Sequence, residues 1–456
     1  MNDGPQPPGG EGGQHSQFYL LRERRFWPLF ATQFLGAFND NAYKNALLVL
    51  LTFGAASWMG VGQEVKVLSN LAAGLFILPF FLFSATAGQL ADKFDKALLA
   101  RWVKALEIFI ILLVALGFWL RSLPVLLAAL CLLGLQSTLF GPLKYAILPQ
   151  HLRPNELVGG NALVEAGTFV AILLGTLTGG LLAGLDDGGV IWIVAICFIV
   201  ALGGFLVSWH IPTAPAPAPE LKISLNPLAE TLRCIGLARR ERSVFQSILA
   251  ASWFWAYGAL LLTQLPIYTE TVLGGNEALV TVLLAVFSIG IGSGSLICEK
   301  LTRRRGKAVE PGLVPIGALG MTIFGLDLAL GAPGNASGTL QPLADMLHRG
   351  STWRVFFDLL MLGGFGGIYC VPLYALIQQR AQAEYRARII AANNILNALF
   401  MVGIFVGAAA FLGKGFSIPA LFLCAAVLHG IITIYIFSVV PEFIIRAMVW
   451  LGWRRE

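Results

Sequence analysis

Apolar residues run along this chain in long blocks parted by short polar and basic segments, and the block length fits the roughly twenty helical residues that cross a bilayer. Blocks fall at residues 26–54, 67–91, 97–120, 124–147, 157–185 and 189–211, then at 243–272, 278–300, 308–332, 353–378, 386–413 and 417–440. Between the two sets, Pro212-Thr-Ala-Pro-Ala-Pro-Ala-Pro219 reads as an extended spacer, and the apolar and basic residues after Asn226 suit an amphipathic helix lying on a membrane surface. The expected fold is an all-α membrane protein with twelve transmembrane helices in two six-helix bundles. Its parts are a disordered tail (1–25), the first bundle (26–211), a linker with an amphipathic helix (212–242), the second bundle (243–440) and a terminal tail (441–456).

Composition agrees: 57% of residues are hydrophobic and 12% charged, against roughly 25% charged in a soluble domain. The net charge of +6 gathers in the loops, where it sets topology and meets anionic head groups, so no nucleic-acid partner is expected. Arg22, Arg24, Arg25, Lys93, Lys96, Arg303, Arg304, Arg305, Arg386, Arg454 and Arg455 share one side of the predicted topology; Lys66, Arg121, Arg349, Arg354 and Lys414 share the other. The positive-inside rule then puts both termini in the cytoplasm. The six cysteines show no C-x-x-C spacing and no neighbouring His, so no metal site or disulfide framework is expected.

The first block breaks its own pattern. Asn39-Asp40-Asn41 and Lys44-Asn45 lie near its middle, where charge is costly and marks a functional position by default. Asp40 and Lys44 are four apart, so on a helix they share a face and partly neutralise each other; Asn41 and Asn45 form a parallel polar pair. Such a helix faces a cavity, or else carries a polar stripe that joins helices. A faint repeat relates the halves: Phe140-Gly-Pro-Leu-Lys-Tyr-Ala-Ile147 corresponds to Cys370-Val-Pro-Leu-Tyr-Ala-Leu-Ile377, and each precedes a helix with a polar pair, Asn161 and Glu165 or Asn393 and Asn397. Parallel repeats of this kind suit transporters that rock two halves about a central site.

Between the second and third blocks stands Gly88-Gln-Leu-Ala-Asp92-Lys93-Phe-Asp95-Lys96, with a degraded copy at Ser295-Leu-Ile-Cys-Glu299-Lys300. This resembles the G-x-x-x-D-[RK]-x-G-x-[RK] signature of the major facilitator superfamily, with Asp95 in place of the second Gly. An acid at a helix end among basic neighbours can clamp one conformation, so Gly88, Asp92, Lys93, Lys96, Glu299 and Lys300 are gating candidates. Gln33-Phe-Leu-Gly-Ala-Phe-Asn-Asp40-Asn41, Pro142-Leu-Lys144-Tyr145-Ala-Ile-Leu148 and Asn161-Ala-Leu-Val-Glu165-Ala-Gly with Ala171-Ile-Leu-Leu-Gly175 further resemble motifs of bacterial lysophospholipid transporters. The chain is also similar to the membrane half of fusions with acyltransferase and acyl-carrier-protein synthetase modules, which makes such an acyltransferase a candidate partner. The seventh helix departs from that family, offering Tyr257 and Gln264 where an embedded Arg can occur.

The resemblance implies a lipid with a phosphate, often an ammonium group, and one acyl chain, moved from the outer to the inner leaflet of a bacterial inner membrane by alternating access for re-acylation. Lys144, on one face with Gln136 and Phe140, is the candidate for the phosphate, or else snorkels to water. Asp40 and Glu165 are candidates for the ammonium or for a coupling proton or sodium ion, with Lys44 balancing charge. Asn41, Asn161, Tyr257, Gln264, Asn393 and Asn397 complete the candidate lining. No organic cofactor is expected. The alternatives are a proton-coupled exporter of hydrophobic drugs and a non-transporting platform for an acyltransferase. An enzyme is disfavoured, since the chain has no His-x4-Asp pair, G-x-S-x-G elbow or P-loop.

Overall fold

The computed structural model describes residues 16–51, 65–185, 188–224, 226–304, 308–334 and 339–453. The expectations for tail residues 1–15, for the end of the first block (52–54) and for Arg305, Arg454 and Arg455 fall outside them. The N-terminal bundle consists of α1 (Trp27–Val49), α2 (Val65–Lys93), α3 (Lys96–Trp119), α4 (Leu123–His151), α5 (Leu157–Ala183) and α6 (Gly189–Ser208). After α7 (Pro227–Arg239), the C-terminal bundle consists of α8 (Arg242–Tyr268), α9 (Glu277–Arg303), α10 (Leu313–Leu330), α11 (Gly350–Arg380), α12 (Arg386–Gly413) and α13 (Ile418–Val439), and α14 (Glu442–Trp450) follows. Eleven of these helices are long and apolar enough to cross a membrane. The twelfth long helix, α1, falls short because of Asn39, Asp40, Asn41, Lys44 and Asn45.

The same neighbours recur in both bundles. Helix α1 packs on α5 as α8 packs on α12; α2 packs on α4 as α9 packs on α11; α3 packs on α6 as α10 packs on α13. Across the bundles α5 meets α9 and α2 meets α12, the reciprocal exchange that two parallel repeats about an axis along the membrane normal produce. Small residues set the closest crossing. A Cβ on Gly294 of α9 would lie 1.8 Å from the Gly364 oxygen of α11, and one on Gly367 would lie 2.3 Å from the Ser295 nitrogen.

The first and last described segments, around Gln17 and Trp450, lie at one face of the bundle, against Leu296 and Leu301 of α9; this is the terminal face. There the N-terminal segment corrects the expectation of a disordered tail to residue 25. A 3-10 turn spans Gln17–Arg22, with Gln17 buried and its Nε2 donating to the Leu296 oxygen of α9 at 2.9 Å. Arg25 pairs with Glu156 (2.6 Å), which also accepts from the Tyr19 hydroxyl (2.7 Å). The linker is bonded along its length. Ala214 N donates to Asp95 Oδ2 (2.9 Å), Ala218 N to the Asp92 oxygen (3.0 Å), and Ser224 N to Gln89 Oε1 (2.7 Å). Asp95 also caps α3 by accepting from Leu98 N at 2.9 Å, so the residue that departs from the signature holds both a helix start and the linker. Helix α7 lies against α2 and α12 at once, with Glu230, Cys234 and Ala238 buried. At the chain's end, α14 docks through Arg446 on Glu310 (2.9 Å) and Arg380 on Glu442.

The α9–α11 crossing leaves no room for a branched side chain. Gly294→Val should destabilise the C-terminal bundle by about 3 kcal/mol or more, the upper range for overpacking a filled site, whereas Gly407→Ala, with nothing within 4 Å of its Cβ position, should leave it unchanged. Thermal unfolding in detergent compares the two, and equal melting points would contradict the close crossing.

Candidate functional site

Charge inside the N-terminal bundle is organised in three groups. The deepest is held by Glu107 of α3, buried and paired with Lys104 on the same helix. Glu107 also accepts from Asn39 Nδ2 (2.8 Å) and Gln136 Nε2 (3.0 Å), and Asn39 donates further to the Cys197 oxygen (3.0 Å). The spacing of Lys104 and Glu107 suggests a pair at a helix end, but the pair stands mid-helix and ties α1, α3, α4 and α6 together. Gln136 therefore serves this network and not the face of Lys144.

The second group is on α1. Asp40 and Lys44 share a face, yet they form no ion pair within 4 Å among the described residues. Asp40 accepts from the Ser137 hydroxyl, and its Oδ1 is buried with no donor. Lys44 donates to Asn41 Oδ1 (3.0 Å) and lies over the Phe76 ring (5.3 Å). Asn41 and Asn45 turn to backbone oxygens one turn back, at 2.8 and 2.9 Å, and Asn45 reaches Thr176 at 3.1 Å. Of the two amides, that of Asn45 ties α1 to α5, as the helix-joining alternative expects, while that of Asn41 stays on α1.

The third group stands where the two bundles meet. Glu165 lies roughly 12 Å into α5 at 1.5 Å per residue, fully buried; it accepts from the Tyr145 hydroxyl at Oε1, and its Oε2 has no donor among the described residues. Lys144 lies over the Tyr145 ring (4.8 Å) with Glu165 and Asp40 as its acidic neighbours, and it has no hydrogen-bond acceptor or ion-pair partner among the described residues. From the other bundle, Tyr374 stacks on Tyr145 with ring centroids 4.4 Å apart and planes 4° apart. The Tyr374 hydroxyl accepts from Trp255 Nε1 (2.8 Å) and lies 3.4 Å from Asn393 Nδ2, while Trp255 stacks on Phe169 of α5 (5.6 Å). Phe140 is buried one turn before Lys144.

Three lining expectations are corrected. Tyr257 is packed inside the C-terminal bundle on Trp253 and His429, with its hydroxyl against Gly325. It shares a helical face with Trp253, whereas Trp255 between them points at the partner bundle. Asn397 accepts from Ser252 (2.8 Å) within the C-terminal bundle. Asn161 reciprocates with Gln378 across the bundles, at 2.7 and 3.0 Å, nearer the terminal face, so it belongs to the closure and not to the site. Gln264 is buried toward the opposite face with Oε1 unpartnered. Sequence reading offers Trp253, Trp255 and Tyr257 alike as a tail pocket or as packing, and it does not single out Tyr374 or Asn394, whose amide lies against Gly141. The Tyr in the second copy of the repeat was the available signal for Tyr374.

The closure itself centres on Asp92. It accepts from Ala387 N (3.1 Å), Arg388 N (3.3 Å) and Arg388 Nε (2.9 Å). It thereby caps the first turn of α12 from the other bundle, satisfying donors that a helix start leaves free. A Cβ on Gly88 would lie 2.8 Å from Ala391 Cβ, so this glycine permits the approach. The expected clamp is corrected in its bases. Lys93 lies over Phe94, Lys300 is exposed, and Lys96 reaches the Pro215 oxygen of the linker (3.4 Å); the cation that crosses is Arg388. Glu299 pairs with Arg303 on its own helix and stands beside Gly159.

Comparison with known proteins gives the family and the fold. The family model of the Major Facilitator Superfamily matches residues 29–402, and the chain belongs to that superfamily of membrane transporters. Within it, the chain belongs to the bacterial lysophospholipid transporter family. It is 30% identical over 363 residues to lysophospholipid transporter LplT of Citrobacter koseri, covering 79% of this chain and 81% of that one. To the LplT of Enterobacter sp. (strain 638) it is 29% identical over 356 residues, covering 77% and 79%. In fold it is similar to the human organic anion transporter of the superfamily (TM-score 0.69, 16% identity, covering 90% and 99%) and to a proton:xylose symporter (TM-score 0.68, 12% identity, covering 91% and 96%).

If Asp92 holds the bundles together, Asp92→Ala and Arg388→Ala should each open the terminal face. A cysteine placed at Ala391 should then react several-fold faster with a membrane-impermeant thiol reagent supplied from that side. An unchanged rate in both variants would remove Asp92 from the closure.

Proposed function

We propose that this chain moves lysophospholipid from the outer to the inner leaflet of a bacterial cytoplasmic membrane, the head group held between Lys144 and the carboxylates of Glu165 and Asp40. The observation that carries the reading is charge left without partners at the junction of the bundles. Lys144 has no hydrogen-bond acceptor among the described residues, and Glu165 Oε2 and Asp40 Oδ1 have no donor. Buried charge is retained where it is paired or has work to do. A zwitterionic head group supplies both complements, with phosphate to the ammonium of Lys144 and its own ammonium to a carboxylate. Tyr145, Tyr374, Trp255 and Phe169 bound the site with ring faces, which take up apolar chain and, at the ammonium, cation–π contact.

The direction of movement rests on two further points. The loops of the terminal face carry most of the Lys and Arg, so that face is cytoplasmic by the positive-inside rule. All hydrogen bonds and ring stacks between the bundles named above lie between that face and mid-membrane, which matches a carrier that loads from outside before Asp92 and Arg388 part. Delivery to the inner leaflet supplies an acyltransferase with a lipid bearing a free hydroxyl. The named function of the LplT relatives supports the same substrate class. A drug exporter would share the carboxylates but has no use for an unpaired Lys144.

The test is uptake of labelled lysophosphatidylethanolamine into proteoliposomes or spheroplasts. Lys144→Ala and Asp40→Asn should each lower uptake about 10- to 100-fold, the equivalent of a charge-assisted hydrogen bond of about 1.5–3 kcal/mol, with Asn397→Ala near the intact rate. Normal uptake in folded Lys144→Ala would sink the head-group assignment, and cationic dye efflux without lysolipid uptake would favour the exporter.

A further inference from the structure

A second set of charged groups lies at the opposite end of the C-terminal bundle, outside the site described above. Asp358 of α11 is 1% exposed, and neither of its carboxylate oxygens has a donor among the described residues. Its carboxyl stands within hydrogen-bonding reach of that of Asp327, three residues before the end of α10. Asp327 falls inside the apolar block 308–332, and its partner is the Arg354 guanidinium, whose Nε lies 3.2 Å from Oδ2 and whose Nη2 meets Oδ1. The Arg354 guanidinium lies flat on Gly331, where a Cβ would come within 2.0 Å of its Cζ. Both Asp327 and Arg354 are 45% exposed, so water on that face reaches the outer acid while the inner one stays covered.

A second, independent group points into the same place. Tyr268, at the end of α8, is fully buried with its hydroxyl unpartnered, and its electrostatic neighbours are Asp358 and Arg354. Asp327, Arg354, Asp358 and Tyr268 are the charged and titratable groups that face one another from α8, α10 and α11; the ring of Phe422 from α13 closes the fourth side (5.4 Å from Tyr268).

Two acids and one base leave one negative charge unbalanced. Carboxylates within hydrogen-bonding reach of each other in a covered site do not both ionise, because the repulsion is scarcely screened. We propose that Asp358 and Asp327 form a one-proton site, in which a proton from water on the opposite face resides on Asp358 and is donated to the Asp327 carboxylate that Arg354 holds. One O–H bond in water or hydronium breaks and one forms on Asp358; no redox partner is needed. The acids lie on α10 and α11 with Tyr268 of α8 beside them, and α8 and α11 are also the helices that bring Trp255 and Tyr374 to the junction. The site is independent of the lipid assignment.

Infrared spectroscopy of the purified full-length protein without lipid substrate tests it. The carbonyl stretch of a buried protonated carboxylic acid should be present at neutral pH, disappear in strongly alkaline buffer, and shift on labelling with 13C-aspartate. It should be lost in Asp358→Asn, whose amide mimics the protonated acid in shape, and in Asp327→Asn, where Asp358 is left as the one acid beside Arg354 and ionises. It should persist in Asp40→Asn. An aspartate-insensitive spectrum of the intact protein, a band that survives Asp358→Asn or Asp327→Asn, or a band abolished by sodium in place of choline at constant pH would each overturn the proposal, the last in favour of a bound cation.

Discussion

Asp92 accepts three hydrogen bonds from the first turn of a helix in the other bundle, and the closed face depends on them. In a helix start the first N–H groups have no intrahelical acceptor. Here those of Ala387 and Arg388 are answered by a carboxylate from α2, buried with the Arg388 side chain against it. Separating the bundles therefore leaves a buried carboxylate, a guanidinium and two amides to be hydrated together. A partly broken arrangement is worse than either end state, because a half-satisfied buried charge bears its whole desolvation penalty. That is the condition for a switch with two positions and little between them. The reciprocal amide pair of Asn161 and Gln378 and the stacked Tyr145 and Tyr374 lie progressively deeper along the same junction, so closure is layered, from a buried ion pair near the terminal face to aromatic rings at the centre.

The buried charges of the N-terminal bundle divide by the same criterion. Glu107 has Lys104, Asn39 and Gln136 as partners, and its network joins four helices of one bundle. It holds shape. Lys144 and Glu165 keep unanswered atoms where the two bundles meet, and Asp40 keeps one on α1 as an acidic neighbour of Lys144. Depth in the membrane does not separate these roles; the count of partners does.

Much of the architecture was legible in the sequence because apolar block length and loop charge are local properties. The two bundles, the linker helix and the loop from Gly88 to Lys96 could all be read from them. Lys144 and Glu165 stand out in the sequence because each is a charge deep in an apolar block, and the structure makes them electrostatic neighbours. What could not be read was which face of a helix meets which neighbour. Trp253, Trp255 and Tyr257 look alike on paper, and only the packing of α8 turns Trp255 to α5. Arg388 lies 296 residues from Asp92, so nothing local marks it as the cation of the clamp, while the adjacent Lys93 and Lys96 fit the motif and point elsewhere. Asp40 and Lys44 do share a face as their spacing requires, but Ser137 and Asn41 offered each a nearer partner.

The linker suggests a mechanical limit. Its first half is bonded to the ends of α2, α3 and α4 as far as Ser224, and α7, continuous with the C-terminal bundle, begins at Pro227. Only three peptide units separate the fastened strand from the helix, a leash of about 10 Å when taut. The tether between the bundles is thus far shorter than the thirty-odd residues of the linker imply. The bundles are bound like a book close to its spine: while those linker bonds hold, the terminal edge at α2 and α12 opens by about that leash, a narrow lateral slit and not a wide mouth.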